Sequence, residues 1–406
     1  MTVYQADWVL PITDRPIRDG WVAVADGRVA GVGGDPRGDV VNLGSVAILP
    51  ALVNAHTHLE LSYLHGRIRS GDSFIDWIRR LMALRREFPD AADPRILDEA
   101  RAAIRFARAS GTGLIGDISN TLVTVPLLRD EGMSAHVFYE LLGFSVADAE
   151  GRVRSAREKA AVHGSYGPRL RVSVAPHAPY SVSPALFSSI RAELDAGEMP
   201  VSSVHLGESE AEIEFLRHGT GAFRQLLEEL GVWNSDWQPP GSSPVSYLSE
   251  LGFLDRSVLA VHGVQFDGED LSRLAALGAT VVSCPRSNRH VGVGDPPLEA
   301  FYAMGVSVAF GTDSLASVAD LNMFAELAAA RRVAPKVPAR HLLESATLRG
   351  AQALRFDDYG SIEEGRAASL IAVTLPDAVD DVEEYLVSGI EPDAIRWLDT
   401  PKPKSQ

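Results

Sequence analysis

The chain has 406 residues, 46% of them hydrophobic, which is enough for a sizeable core in one large domain or two smaller ones. Its 54 acidic against 38 basic side chains give a formal charge of −16, which argues against a nucleic-acid backbone or an anionic membrane as partner. A single cysteine, Cys284, no apolar run at the Asp-bearing N-terminus and no stretch of the ~20 apolar residues that span a bilayer together predict a cytoplasmic protein without disulfides.

Residues 1–49 read as short strands, because WVLPI, GWVAVADGRVAGVGG and VVNLGSVAILP mix alternating apolar residues with Gly and Asp-Gly turn signals. The pattern changes at Pro50. Eight β-type runs follow: ALVNAH, TGLIGDI, SAHVFYE, LRVSVAP, VSSVHLG, SVLAVHG, ATVVSCP and VSVAFGTD. Helical stretches such as DEARAAIRFARAS, LFSSIRAELDAG, EDLSRLAALG and DLNMFAELAAARR lie between them. Strand–helix alternation implies parallel strands with crossover helices, and eight repeats suggest a closed barrel. An open doubly wound sheet is the rival, but no G-x-G-x-x-G follows the first run. The segment SIEEGRAASLIAVTL, residues 361–375, returns to the style of the N-terminus. The expected fold class is α/β. A TIM-like (β/α)8 barrel over residues 50–356 is inserted into a small β-sandwich formed by residues 1–49 and 357–406.

Catalytic groups of such barrels gather at the C-terminal ends of the strands. The first run ends in His56-Thr-His58, and residues i and i+2 of a strand share a face, so both imidazoles can reach one ion. The fourth run ends in His177, the fifth in His205, the sixth in His262 and the eighth in Asp313. A lone His-x-His says little, but six such groups on five strand ends would converge at one mouth. Imidazole and carboxylate ligands suit Zn²⁺, Fe²⁺ or Mn²⁺, which lower the pKa of water. Asp313 is placed to take a proton from that water. Glu208, three residues past His205, is placed to shuttle one to a ring nitrogen or leaving group. Glu210, Glu212 and Glu214 read as a solvated helix face.

Taken together, LPALVNAHTHLELS, VAPHAPYSVSP, VHLGES, SVLAVHG, VVSCPRSNRHVG and FGTDSLAS resemble the amidohydrolase superfamily, in its cytosine-deaminase and chlorohydrolase-like branch. The resemblance implies that His56, His58, His205 and Asp313 bind one divalent metal, zinc or iron. It implies that His262 orients water, that Glu208 protonates the substrate ring and that His177 contacts the substrate. Superfamily members with two metals use a bridging carboxylated lysine on the fourth strand. The lysines here are Lys159, Lys336, Lys402 and Lys404, and none ends a barrel run, so a mononuclear site and deamination are expected. The resemblance also carries the expectation of a homodimer.

For the substrate, His56-Thr-His58-Leu-Glu60-Leu-Ser62 and Ser73-Phe-Ile-Asp-Trp77 resemble members that deaminate 6-amino-6-deoxyfutalosine, an adenine nucleoside with a benzoate tail on a route to menaquinone. Glu60 and Trp77 are therefore expected at the substrate, whereas Phe74 reads as helix packing. Arg286, in the stretch with Ser287 and Asn288, either pairs with a substrate carboxylate or forms a structural salt bridge. Glu140 either accepts from ribose hydroxyls or forms an internal ion pair. Trp233 and Trp237 sit in a Pro/Gly-rich loop that reads as a lid or an oligomer contact. Rival readings are a guanine, S-adenosylhomocysteine, adenosine or s-triazine hydrolase and, from another class, a metal-binding scaffold without catalysis.

Overall fold

The computed structural model describes residues 1–34, 39–70, 73–163, 167–197 and 200–398, with the side chain of residue 163 left out. All eight predicted runs are strands. Leu52–Thr57, Thr112–Ser119, Ser134–Leu141 and Leu170–Pro176 form one parallel sheet in sequence order. Ser202–Leu206, Val258–His262, Thr280–Ser283 and Ser307–Phe310 form a second. Strands covered on both faces read as continuous apolar runs, and every residue of Thr112–Ser119 is buried.

The two sheets meet at two places. The amide of His205 donates to the carbonyl of His177 at 2.9 Å, and that of Asp313 to the carbonyl of His56 at 3.0 Å. Gly311 permits the second approach, because a Cβ there would lie 2.7 Å from the Cβ and carbonyl oxygen of His56. One apolar cluster takes Val53, Leu114, Phe138 and Ala175 from the first sheet and Val261, Val282 and Ala309 from the second. The connecting helices begin where the sequence offers caps. Asp93 accepts from the amide of Arg95 ahead of Pro94–Ala109, and Ser183 from that of Leu186 ahead of Pro184–Ala196. Asp267 and Asp270 form a reciprocal capping box on Gly268–Leu277.

The chain ends pair with each other. Val46–Pro50 lies antiparallel to Leu370–Thr374, with Pro50 opposite Leu370 and Val46 opposite Thr374. They sit in a five-stranded sheet with Trp8–Val9, Ile17–Arg18 and Ile395–Trp397. A four-stranded sheet holds Thr2–Gln5, Trp21–Ala25, Arg28–Gly33 and Val40–Asn42. Val22, Val24 and Val29 of the latter share an apolar cluster with Val9, Ile48 and Leu370 of the former. Among the described residues, no helix is long and apolar enough to cross a membrane.

Candidate active site

The strand ends bring the predicted groups together. The ligand atoms of His56, His58 and His205 all lie within 4.8 Å of one another. Asp313 Oδ1 is 3.8 Å from His56 Nε2 and 3.5 Å from His58 Nε2, and the Nε2 atoms of His58 and His205 are 3.3 Å apart. His205 Nδ1 donates to the His177 carbonyl at 3.0 Å, which leaves its Nε2 lone pair facing His58. His56 is wholly buried, and among the described residues neither ring nitrogen has a hydrogen-bond partner. A buried polar group in that condition is costly unless something else satisfies it. Burial, reinforced by the neighbouring imidazoles His58, His205 and His262, holds the His56 pKa well below its ordinary value. Burial likewise brings His58 down to about 3. Neutral imidazoles beside a carboxylate are the protonation states a divalent cation needs, so these residues fit a metal.

Asp313 is fixed from behind. Its Oδ2 accepts from Ser287 Oγ at 2.6 Å and Ser317 Oγ at 3.3 Å, and its Oδ1 accepts from the amide of Ser314 at 2.7 Å. Its backbone is left-handed, φ +61°, as is that of His262, φ +79°. Asn288 Oδ1 lies 2.8 Å from His262 Nδ1. The ring donates there, and its Nε2 faces Glu208 Oε1 at 3.7 Å. Burial, then the charges of Asp313 and Glu212, push the Glu208 carboxyl well above the carboxylate range. Its proton is thereby held more tightly than that of an ordinary carboxyl, beside the strand ends. The backbone is shaped to put it there. Gly207 takes φ +63° against the ring of Phe266, and the amides of Gly207 and Glu208 both donate to the Glu212 carboxylate at 3.0 Å. Glu212 is thus a correction to the sequence reading. It is fully buried beneath the turn, whereas Glu210 and Glu214 are exposed.

A second group of potential ligands, Glu140, His177 and His205, lies beside the first. Ser181 Oγ fixes the His177 ring, lying 2.6 Å from His177 Nδ1 and 3.1 Å from the Ala178 carbonyl. Glu140 Oε2 accepts from Asn120 Nδ2 at 2.9 Å, and its Oε1 lies 3.5 Å from His205 Nδ1.

These groups open on a cavity of about 380 Å³. His58, His177, His205, Glu208, His262, Asp313, Glu140 and Trp77 line it. Phe74, expected to pack elsewhere, lines it too and lies parallel to Trp77. One wall is the Phe74–Arg86 helix, which presents Phe74, Trp77, Ile78, Leu81, Met82 and Arg85 at helical spacing. The facing wall is Gly221–Glu229 and its end, with Phe223, Leu226, Leu227 and Leu230. Arg79 joins the two helices through a forked pair with Glu229, at 2.8 and 3.1 Å.

Four expected substrate contacts do not line this cavity. Arg286 takes the structural alternative: its guanidinium lies 2.9 Å from Asp320 and its amide donates to the buried Glu326. Ser287 and Asn288 act one step back, on Asp313 and His262. Glu60 is buried and accepts from Ser119 and Thr121 hydroxyls and from the amides of Asn120 and Thr121. It ties the end of the first strand to that of the second. The loop tryptophans do not line it either. Trp237 stacks on Phe215 and Trp233 on Phe144. Asn120, Tyr180 and Ser181, which do line it, escaped the sequence reading. Lys159 is exposed on Ala149–His163 and Lys336 pairs with Glu299, far from any strand end in sequence, while Lys402 and Lys404 lie outside the described residues.

Residues 47–394 match the model of the amidohydrolase family. The chain belongs to that family. Its mixed α/β fold is shared with solved amidohydrolases, and it is a hydrolase of carbon–nitrogen bonds. The amidohydrolase is 31% identical over 386 residues to a 5-methylthioadenosine/S-adenosylhomocysteine deaminase of Nitratidesulfovibrio vulgaris, covering 88% of this chain and 80% of that protein. It is 32% identical over 366 residues to an aminodeoxyfutalosine deaminase of Nitratiruptor sp., covering 88% and 84%. An adenosine deaminase of Xanthomonas campestris, solved with bound zinc, superposes with a TM-score of 0.82 at 26% identity, covering 97% of this chain and 90% of that one.

Proposed function

We propose that this amidohydrolase is a mononuclear aminohydrolase that replaces the 6-amino group of an adenine nucleoside by oxygen. The observation that carries the reading is the placement of Glu208, a buried carboxyl 3.7 Å from His262 and at the same mouth as the His56–His58–His205–Asp313 cluster, where burial raises its pKa. In this reading the two parallel sheets close as one (β/α)8 barrel over residues 50–356, and residues 1–49 with 357–406 form a small β-sandwich beside it.

His56, His58, His205 and Asp313 would hold the metal, zinc by preference, and its chemistry is to make water a stronger acid and hence a nucleophile near neutral pH. The chain supplies the rest. Glu208 gives its proton to the ring nitrogen next to the reacting carbon, which makes that carbon more electrophilic. Asp313 takes one proton of the attacking water and returns it to the departing amine, so ammonia leaves as a neutral molecule, and the water's other proton restores the Glu208 acid as the carbon becomes a carbonyl. His262, with Nδ1 tied to Asn288, presents a fixed Nε2 acceptor to the same water. His177, its ring fixed by Ser181, contacts the substrate, and Glu140, steadied by Asn120, accepts from sugar hydroxyls. The apolar walls exclude bulk water and stack on flat rings.

Among adenine nucleosides we assign 6-amino-6-deoxyfutalosine first, because the relatives include an aminodeoxyfutalosine deaminase and the cavity is long on aromatic wall. The comparable likeness to 5-methylthioadenosine/S-adenosylhomocysteine deaminases makes those nucleosides the main competitors. Ammonia release is measured across 6-amino-6-deoxyfutalosine, 5′-methylthioadenosine, S-adenosylhomocysteine, adenosine and guanine. Highest kcat/KM on the first is the expected outcome. A preference for another nucleoside overturns the substrate, and turnover of guanine alone overturns the class.

A further inference from the structure

The cavity wall ends in two adjacent guanidinium groups. Arg85 and Arg86 close the Phe74–Arg86 helix, and both line the catalytic cavity. Both also line a neighbouring cavity of about 380 Å³, which has the rings of Tyr63 and Phe88 in its wall. Leu61 and these two arginines are common to the two spaces, so they stand at the junction.

The arginines differ in what they already hold. Arg85 donates twice to Asn120 Oδ1, at 3.1 and 3.2 Å, and lies 3.5 Å from Glu60. Arg86 is exposed, and among the described residues its guanidinium has no hydrogen-bond or ion-pair partner. Among the described residues, these two are the only arginine or lysine side chains that line either cavity. The chain as a whole carries −16, so a positive pair at a binding cavity runs against its general charge.

The lining carboxyls are all engaged. Glu60 receives Ser119, Asn120 and Thr121; Glu140 receives Asn120; Asp313 receives Ser287; Glu208 faces His262. Apart from Glu208, which lies at the strand ends, each already accepts hydrogen bonds, which disfavours an ammonium group there. The space between the strand ends and the arginines is walled by Phe74, Trp77, Tyr180 and Phe223, whose faces suit a flat apolar group. An occupant that satisfies both is anionic at its far end and apolar, preferably aromatic, in between. A zwitterion would leave its ammonium unpaired.

We propose that Arg86 determines substrate choice: its guanidinium receives a carboxylate at the end of an aromatic substituent on the sugar of the aminopurine nucleoside. This rests on the aminohydrolase reading above. Guanidinium binds carboxylate through a planar fork, and charge-assisted hydrogen bonds are worth ~1.5–3 kcal/mol, a factor of roughly 10 to 150.

The test uses the full chain with zinc and three probes: adenosine, an adenosine carrying a 5′-linked carboxyphenyl group, and the carboxamide of the latter. Wild type is expected to favour the carboxylate over the carboxamide by at least ~10-fold in kcat/KM. In Arg86→Gln that ratio falls towards one, because KM for the carboxylate rises more than KM for the carboxamide. Arg86→Lys, which keeps the charge and loses the fork, recovers part of the ratio. A ratio unchanged by Arg86→Gln overturns the proposal, as does a wild type that treats the two alike while turning both over. Absence of ammonia from all three probes removes the aminohydrolase reading and this assignment with it.

Discussion

On the strand side of the cavity, the inward-facing polar groups are held by others behind them. Ser287 and Ser317 hold Asp313, Asn288 holds His262, the His177 carbonyl holds His205 and Asn120 holds Glu140. On the helix side, among the described residues, Arg85 alone is held in this way, by Asn120. Apolar side chains of Phe74–Arg86 and Gly221–Glu229 face the same space, and the polar link between those helices is the half-exposed pair of Arg79 and Glu229. In the proposed reaction the first arrangement would fix atoms for proton transfer, which fails when geometry drifts by an ångström. The second supplies area and shape, which tolerate adjustment. Changes on the strand side should therefore lower kcat, and changes on the helix side should alter KM or stability.

The largest effect is expected from Asp313→Ala, which removes a proposed ligand and the proposed base together. Turnover should fall by ~10³-fold or more, with metal content well below one per chain by elemental analysis. Normal metal content with a modest rate loss would move Asp313 out of the ligand set. Glu208→Gln keeps the shape and removes the transferable proton. We expect full metal occupancy and a loss in kcat of roughly 10²-fold or more. Ser287→Ala acts one step back from Asp313, and a decrease of ~10-fold in activity or metal affinity is expected, as for other partners that orient ligands.

Phe74→Ala probes the wall. Losing an aromatic contact worth ~0.5–1.5 kcal/mol should raise KM about 2–10-fold and leave kcat close to wild type. A kcat loss as deep as that of Glu208→Gln would erase the distinction between the two sides. The smallest effect is expected from Glu229→Gln, which breaks the exposed fork with Arg79. Thermal or denaturant unfolding should shift by less than ~1 kcal/mol, and by less still at high salt.

The two sides were also unequally legible in the sequence. Strand ends are easy to read, because a short apolar run stops at a polar residue, and His56, His58, His205, His262 and Asp313 all announced themselves that way. The wall was hidden in plain view: Phe74, Trp77, Ile78, Leu81 and Met82 make a stripe at 3.6-residue spacing, and such a stripe looks the same whether it faces a core or a cavity. Asn120 lies just past the end of the second strand, but an Asn there also reads as an ordinary turn residue. Arg286 misled because its partner, Asp320, is 34 residues away in sequence. Glu212 misled for a related reason. A charged residue in the first turn of a helix is normally solvated, and here the turn at Gly207 folds back over it.

The left-handed backbone at His262 and Asp313 has one more consequence. Such a conformation costs a side-chain-bearing residue of order 1 kcal/mol or more, and glycine adopts it freely. At both positions a residue chosen for folding alone would be glycine or asparagine, and neither could take the roles proposed for Asp313 and His262. In that reading, selection for robustness and selection for turnover pull in opposite directions at two strand ends of the second sheet. A stabilised descendant of this protein that had lost its chemistry would be expected to show the loss at these positions first.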